Sequence, residues 1–302
     1  LTMKKLINPV SKLWSNLEKK SKRPLLARKL IVVPYKEFEK KVLFGSYMEQ
    51  KKIIKSLYSG DVYLLKKAFS KKFSDDLINE AWEINKNQKK SFHQITENCP
   101  NFHRLIDEKI TKNYSANHIK HAFYFFPWNR GPVKMYEKIY KRWRLFKFLG
   151  GFNANEYENN TPKDGVIDRF QIVHYPAGAG WLETHNDPYH NQRVIISGFL
   201  SQRNKDYKTG GFYYYKKNNQ ILDCDDYIET GDMITSYATV LHGVSQIDSE
   251  LKVNYDSPRG RWFLGLYSND SDVIKKRKTT KSMGKKYLNP KLPIINNDIR
   301  FA

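Results

Sequence analysis

From residue 166 onwards the chain is divided into short β-rich runs, separated by clusters of Gly, Asn and Asp. The runs are VIDRFQIVHY, RVIISGFL, GGFYYYKK, DMITSYA and RWFLGLY, and the β-rich part ends near Ser268. Five or more short strands with turn signals between them are typical of a sandwich, a barrel or a jelly roll. This pattern therefore predicts an all-β unit in the second half of the chain.

The preceding region, residues 61–165, has mostly helical periodicity. A helix is expected to start at Ser74 as N-cap and to bury the apolar run Leu77–Trp82. A second helix is expected between Pro132 and Gly150, because proline suits a first helical turn and glycine a helix end. Short strands are expected at residues 61–65 and 121–128, the latter beside the β unit.

The positive charge lies mainly at the two ends of the chain. Residues 1–60 hold fifteen Lys or Arg and four Glu, a net charge of +11, and residues 273–302 carry +8 of the total of +22. Such ends can contact anionic lipid or nucleic acid. The forty lysines against thirteen arginines equally indicate a composition bias of the genome. We interpret residues 1–60 as a basic arm with one or two short helices, and residues 273–302 as an exposed basic tail.

Several classes of protein are excluded by composition. Two cysteines, Cys99 and Cys224, are too few for a disulfide scaffold or a cysteine-built zinc module. No run approaches the ~20 apolar residues of a membrane-spanning helix. The basic N-terminal residues never reach an apolar core of about seven residues, so a secretory signal is not expected. A cytoplasmic location is the default expectation.

Two histidines and an aspartate form the most informative constellation. His185 and Asp187 are two positions apart, so on a strand they point to the same side. His242 follows fifty-five residues after Asp187, on another predicted strand. Two imidazoles and one carboxylate form the facial triad of non-haem Fe(II) oxygenases, which leaves open positions for a bidentate cosubstrate and dioxygen. The sequence therefore predicts His185, Asp187 and His242 as metal ligands and as the catalytic centre.

The segments around these residues strengthen the prediction. In order along the chain they are HYPAGAG (174–180), GGF (210–212), GDMI (231–234), LHGV (241–244) and GRW (260–262). This order resembles the 2-oxoglutarate/Fe(II)-dependent dioxygenase superfamily, especially the branch that includes prolyl hydroxylases. The resemblance covers roughly residues 166–268, and is looser from residue 61.

The resemblance implies a fold and a cosubstrate site. Members of the superfamily fold as a double-stranded β-helix with the metal at one mouth, so the expected class is α+β, with a helical N-terminal region supporting this jelly roll. Its regions would be 1–60, 61–165, 166–272 and 273–302. Arg261 matches the basic residue that binds the far carboxylate of 2-oxoglutarate, for which a guanidinium is suited. Arg259 has the same strand parity and is a rival. Tyr175 is a further cofactor-binding candidate, since either it or His174 should face the barrel interior.

The activity that the resemblance implies is oxidation of a small-molecule substrate, most often hydroxylation, with Fe(II), 2-oxoglutarate and dioxygen, and release of succinate and CO2. Related halogenases lack the carboxylate that Asp187 provides, so oxygenation is favoured over halogenation. Nucleic-acid dealkylases carry a second arginine six positions after the 2-oxoglutarate arginine. Tyr267 stands there, which argues against nucleic acid as substrate.

Three alternatives remain open from the sequence. One is an oxygenase that acts on another macromolecule, and a second is a peripheral enzyme whose basic ends contact an anionic membrane and whose substrate is lipid-linked. The third is a cupin-like jelly roll that binds a metal or ligand without 2-oxoglutarate turnover, because this fold hosts many functions. No pattern indicates a particular oligomeric state.

Overall fold

The computed structural model describes residues 8–114, 116–129 and 133–279. Within these residues the chain forms five α-helices and twelve strands. The helices are α1 (Ser11–Lys20), α2 (Tyr35–Leu43), α3 (Tyr47–Tyr58), α4 (Lys71–Asn87) and α5 (Val133–Leu149). The strands are β1 (Leu30–Pro34), β2 (Val62–Lys66), β3 (Phe102–Ile106), β4 (His118–Phe125), β5 (Val166–Pro176), β6 (Trp181–His185), β7 (Ser197–Phe199), β8 (Gly211–Tyr215), β9 (Ile221–Asp223), β10 (Met233–Thr235), β11 (His242–Ser245) and β12 (Gly260–Asp270).

The strands are arranged in a larger and a smaller sheet. The larger sheet has the order β1-β2-β10-β7-β12-β5-β4-β3, and the smaller has the order β6-β11-β8-β9. The two sheets join where the start of β4 pairs with β6. From β5 to β12 the chain alternates between the sheets, except that β8 and β9 are consecutive strands of the smaller sheet. This is the connectivity of a double-stranded β-helix. The predicted α+β jelly-roll fold is therefore confirmed.

The helices contribute to the same apolar core as the strands. Trp14 of α1, Phe38 of α2, Ile54 of α3, Trp82 of α4 and Trp143 of α5 are all buried in one cluster with residues of both sheets. In each helix most apolar residues lie on the buried side and most lysines in water. Lys147 of α5 is an exception, because it is buried and forms an ion pair with Asp168. These helices thus back the larger sheet.

The N-terminal region is more ordered than its composition indicated. One or two short helices were expected in residues 1–60, but three helices and strand β1 are present among residues 8–60. The regular lysines concealed the amphipathic periodicity that buries Leu13 and Val42. In residues 61–165 the two expected short strands are present as β2 and β4, and β3 is a further strand that was not expected.

The two helices predicted in residues 61–165 are present as α4 and α5, but α4 begins at a different N-cap from the one expected. Helix α4 begins at Lys71, and its N-cap is Ser70, whose hydroxyl accepts a hydrogen bond from the backbone of Phe73. Ser74, the expected cap, lies inside the first turn of the helix instead. Helix α5 ends before Gly150 as predicted, whereas Pro132 lies outside the described residues.

The first residues of the predicted tail are held to the folded core, although most of their side chains are exposed as expected. The hydroxyl of Thr279 accepts a hydrogen bond from the backbone of Asp270, and Arg277 forms an ion pair with Asp272. Residues 280–302, the rest of that segment, lie outside the described residues. None of the helices in the described part of the chain has the length and apolar character of a membrane span.

Candidate active site

The three predicted metal ligands lie at the ends of two neighbouring strands. His185 is the last residue of β6, and His242 is the first residue of β11. Because β6 and β11 are antiparallel with these two residues as register partners, their imidazole rings lie opposite each other, 4.4 Å apart at the centroids. Asp187 follows two residues after β6, and its backbone N–H donates to the carbonyl of Ala238. The strand ends therefore fix all three side chains.

The donor atoms of this triad converge on one point. Oδ1 of Asp187 is 3.8 Å from Nε2 of His185, and Oδ2 is 3.7 Å from Nε2 of His242. One ligand atom from each residue lies within 4.8 Å of the other two. Within the described residues, no other group of three His, Cys, Asp or Glu side chains converges in this way.

Hydrogen bonds determine which nitrogen of each ring faces the centre. Nδ1 of His185 is 2.9 Å from the carbonyl of Glu183, and Nδ1 of His242 is 2.9 Å from the carbonyl of Val240. A proton on Nδ1 is therefore used for the backbone, and the lone pair of Nε2 points to Asp187. Burial, with His242 alongside, lowers the pKa of His185 well below its usual value, so this ring is neutral. Burial also raises the pKa of Asp187.

Deeper in the barrel, Arg261 and Tyr175 lie side by side. They are register partners on β12 and β5, and both face an inner pocket that the three triad residues also line. Nη2 of Arg261 and the hydroxyl of Tyr175 are buried and have no hydrogen-bond partner. Of the pair His174 and Tyr175, it is thus Tyr175 that faces the interior. His174 points to the opposite face and stacks on Trp262.

Arg259 is placed outside this pocket, which corrects its candidacy as a cofactor-binding residue. Its side chain is half-exposed, and its guanidinium lies 3.7 Å from the carboxylate of Asp248. The strand begins only at Gly260, whose φ of +140° breaks the alternation before Arg261. Strand parity therefore does not extend back to Arg259, and Arg261 alone enters the barrel.

A buried acidic residue that the sequence analysis did not assign supports Arg261. Asp225 lies in the turn after β9, and its Oδ2 accepts hydrogen bonds from Nε of Arg261 at 3.0 Å and from the hydroxyl of Tyr207 at 2.5 Å. Burial opposes the charge on Arg261, yet Asp225 outweighs it and the pKa of Arg261 is raised. The signal in the sequence was the acidic turn DCDD, whose partner is distant in the chain.

An outer chamber of about 170 Å³ adjoins the inner pocket at His185 and Asp187. His185 and Asp187 form part of its wall, and so do Lys120 of β4, Arg169 of β5 and Tyr267 of β12. The ring of Tyr267 lies directly over Gly265, because a Cβ there would be 2.4 Å from the ring. Lys120 and Arg169 were not assigned from the sequence, although a lone charge inside a buried strand was a signal.

The fold and the site together define a class of protein: a double-stranded β-helix with two histidines and one carboxylate at its mouth. No family model and no curated protein matches the sequence. Solved structures are similar to it at low identity. A Pseudomonas putida prolyl-4-hydroxylase has 12% identity and a TM-score of 0.48, over 72% of this chain and 98% of its own.

Two further solved structures show the same range of similarity. A full-length Neurospora crassa protein in complex with alpha-KG has 13% identity and a TM-score of 0.45, over 80% of this chain and 85% of its own. A 2OG-Fe(II) oxygenase family oxidoreductase from Burkholderia pseudomallei has 11% identity and a TM-score of 0.43, over 78% of this chain and 94% of its own. The structures similar to this chain thus include members of the superfamily and of the branch that its motifs resemble.

Proposed function

We propose that the protein is a non-haem Fe(II)/2-oxoglutarate-dependent oxygenase that hydroxylates, or otherwise oxidises, a small molecule. One observation carries the proposal. The same barrel mouth holds a His185/Asp187/His242 donor set and, beside it, a buried Arg261–Tyr175 pair with unsatisfied polar atoms. A metal and a dicarboxylate would satisfy the two halves of this site together.

The donor set fits a divalent transition metal. Two imidazoles with inward Nε2 atoms and one carboxylate suit Fe(II) with open positions. A cation beside Asp187 would offset the unfavourable burial of that carboxylate, whose pKa is raised. His185, Asp187 and His242 would hold the metal from one side and leave its other side to the inner pocket and the outer chamber.

The inner pocket fits the far carboxylate of 2-oxoglutarate. Nη2 of Arg261 and the hydroxyl of Tyr175 are two buried donors without partners, and buried polar groups in folded proteins normally have one. A carboxylate accepts from both. Phe199, Phe212 and Phe263 complete the walls and exclude water around the charge pair, which strengthens it.

With dioxygen, iron and 2-oxoglutarate supply the oxidising chemistry, in which one oxygen atom enters the substrate and the other enters succinate as CO2 is released. The chain itself binds, orients and shields the reactants. Arg261 and Tyr175 would anchor the cosubstrate, while the triad would hold the metal between cosubstrate and chamber. A chamber of this size is suited to a small molecule.

The test is anaerobic and needs no knowledge of the substrate. Fe(II) and 2-oxoglutarate are added to the apo-protein, and the weak visible charge-transfer band of the chelated keto acid is recorded. We expect a band in the wild type, no band in His185→Ala, and at least about tenfold weaker 2-oxoglutarate binding in Arg261→Ala. Arg259→Ala is the matched control, because it removes the same charge outside the pocket and should leave the band unchanged.

Other outcomes would contradict the proposal. Iron binding without a band, at any 2-oxoglutarate concentration, would favour a cupin-like binding protein. No iron binding would mean that the triad is not a metal centre. If the band is present, succinate release in a screen of small molecules would identify the substrate class.

A further inference from the structure

Two cationic side chains line the outer chamber without an ion-pair partner among the described residues, although the carboxylate of Asp187 attracts both from a longer distance. The charged ends of Lys120 and Arg169 form no hydrogen bond or ion pair with any residue in the described part of the chain. The guanidinium of Arg169 lies over the rings of Tyr124 and Tyr267, at 5.1 and 5.2 Å, and its Nε is buried without a partner. The amide of Gln171, next on the inward face of β5, also lines the chamber.

The other charges of the chamber are already paired or assigned. Asp272 and Arg277 form an ion pair with each other, and Asp187 belongs to the triad. Burial, with the charge of Arg169, lowers the pKa of Lys120 to about 8, while Asp187 opposes the shift. Lys120 therefore remains mostly protonated at neutral pH. Two half-buried cations that face the same chamber without an ion-pair partner are unfavourable unless an anion joins them.

We propose that Lys120 and Arg169 bind an anionic group, a carboxylate or a phosphate, on the primary substrate of the oxygenase. This inference rests on the proposed function, because only in an oxygenase would the bound anion be the molecule that is oxidised. A guanidinium pairs two oxygens of such a group through its planar fork, and lysine adds a point charge. The aromatic walls Tyr124 and Tyr267 suit an apolar body attached to that group.

The position of the two cations separates this role from binding of 2-oxoglutarate. Arg261 and Tyr175 lie in the inner pocket, whereas Lys120 and Arg169 line only the outer chamber. The triad residues His185 and Asp187 lie between and border both spaces. An anion on Lys120 and Arg169 would thus hold the rest of its molecule in the outer chamber, next to His185 and Asp187 and apart from Arg261.

The experiment measures binding of three matched probes to the full chain, by calorimetry, with and without Fe(II) and 2-oxoglutarate under anaerobic conditions. Phenylacetate and phenyl phosphate are the anionic arms, and phenylacetamide is the neutral analogue. The variants are Lys120→Gln and Arg169→Gln. Lys109→Gln is the control, because it removes one exposed lysine charge from the surface.

We expect at least one anionic probe to bind the wild type and the control more tightly than the amide. Each chamber variant should weaken that binding at least about tenfold and leave amide binding unchanged. Tighter binding of phenylacetate would indicate a carboxylate on the substrate, and tighter binding of phenyl phosphate would indicate a phosphate. The thermal midpoint of the apo variants should stay the same or rise, since a half-buried charge without an ion-pair partner has been removed; a purely structural role would lower it.

Three outcomes would overturn the inference: no preference for either anion over the amide in the wild type, anion binding that is unchanged in both chamber variants, or a loss confined to 2-oxoglutarate affinity. The last would assign the cations to the cosubstrate. Failure of the proposed function is recognised separately, because the keto-acid band would then be missing while the apo-protein still preferred the anionic probes.

Discussion

Arg261 donates from Nε to Oδ2 of Asp225 at 3.0 Å, and both side chains are almost completely buried. The bond leaves Nη2 of Arg261 free and holds it toward the inner pocket. Tyr207 donates to the same carboxylate oxygen and so fixes Asp225 in turn. Asp225 is therefore a positioning residue for the proposed carboxylate contact.

Asp225→Asn tests this role. The variant keeps the shape of the side chain but removes its charge, so we expect 2-oxoglutarate affinity of the Fe(II)-loaded protein to fall about tenfold. The unfolding free energy should fall by roughly 3 kcal/mol, because the charge of Arg261 stays buried. Keto-acid band titrations and urea unfolding measure the two effects. Asp226→Asn, an exposed neighbour, is the control; a stability loss with unchanged 2-oxoglutarate affinity would restrict Asp225 to a structural role.

Tyr175→Phe should weaken 2-oxoglutarate binding without lowering stability, in contrast to Asp225→Asn, which should lower both. The hydroxyl is buried without a partner, so its removal should leave the unfolding free energy of the apo-protein unchanged or raise it by about 1 kcal/mol. The loss of one donor to a charged carboxylate should weaken 2-oxoglutarate binding by roughly 1.5 to 3 kcal/mol. Equal 2-oxoglutarate affinity of the variant and the wild type would contradict the assignment of Tyr175.

Gly265→Ala probes the wall of the outer chamber. The new Cβ would lie 2.4 Å from the Tyr267 ring, which must then swing away from the strand into the chamber. We expect a stability loss of about 1 to 3 kcal/mol and weaker binding of phenylacetate or phenyl phosphate, because Tyr267 lines the outer chamber as well as the inner pocket. Gly198→Ala, where the nearest contact is 3.3 Å, serves as a milder control on the same sheet. Unchanged probe binding in Gly265→Ala would mean that Tyr267 does not shape the chamber.

Three histidines lie on the face of the larger sheet that α4 covers: His103, His121 and His174. Nε2 of His103 is 3.0 Å from Nδ1 of His121, and the rings of His121 and His174 are 5.4 Å apart. Burial lowers the pKa of His103 to about 3 and that of His121 to about 4. Lys90 faces both rings and favours their neutral form, whereas Asp256 near His121 partly opposes it.

This cluster predicts a loss of stability in mild acid. The unfolded histidines titrate near about pH 6.5, so between there and about pH 4 the unfolded chain binds protons that the folded chain does not. The contribution of each such histidine to the free energy of unfolding is complete above about pH 6.5. It falls by about 1.4 kcal/mol per pH unit below that, and levels off below the pKa of the histidine in the folded protein. Urea unfolding at pH 7, 6 and 5 measures the slope. In His103→Phe the slope of the unfolding free energy against pH should correspond to about one proton fewer. A slope equal to that of the wild type would contradict the prediction.

The triad was predictable from the sequence because its signal is local. His185 and Asp187 are only two positions apart, so the motif itself brings them together, although β6 ends at His185 and Asp187 lies just beyond it. The choice between Arg259 and Arg261 was not predictable from parity, since it depends on where β12 begins. That start is set at Gly260, by a backbone conformation that the sequence pattern did not reveal.

The supporting residues were missed because their partners are distant in the chain. Asp225 meets Arg261 only after β9 and β12 have been placed in different sheets. Lys120 and Arg169 lie on β4 and β5, in runs whose apolar residues predicted packing alone. The helices of residues 8–60 were underestimated for another reason: frequent lysines made amphipathic segments such as α1 resemble an unstructured basic arm.

The order of the strands also sets a sequence of events during synthesis. β12 is the last of the described strands to leave the ribosome, and it must pair along its whole length with β5, made much earlier. A nascent chain that already holds His185, Asp187 and His242 still lacks Arg261. Such distant pairing forms late in folding. An unfinished chain would thus carry the His185, Asp187 and His242 donors but not Arg261, and the proposed oxidation would be withheld until the barrel has closed.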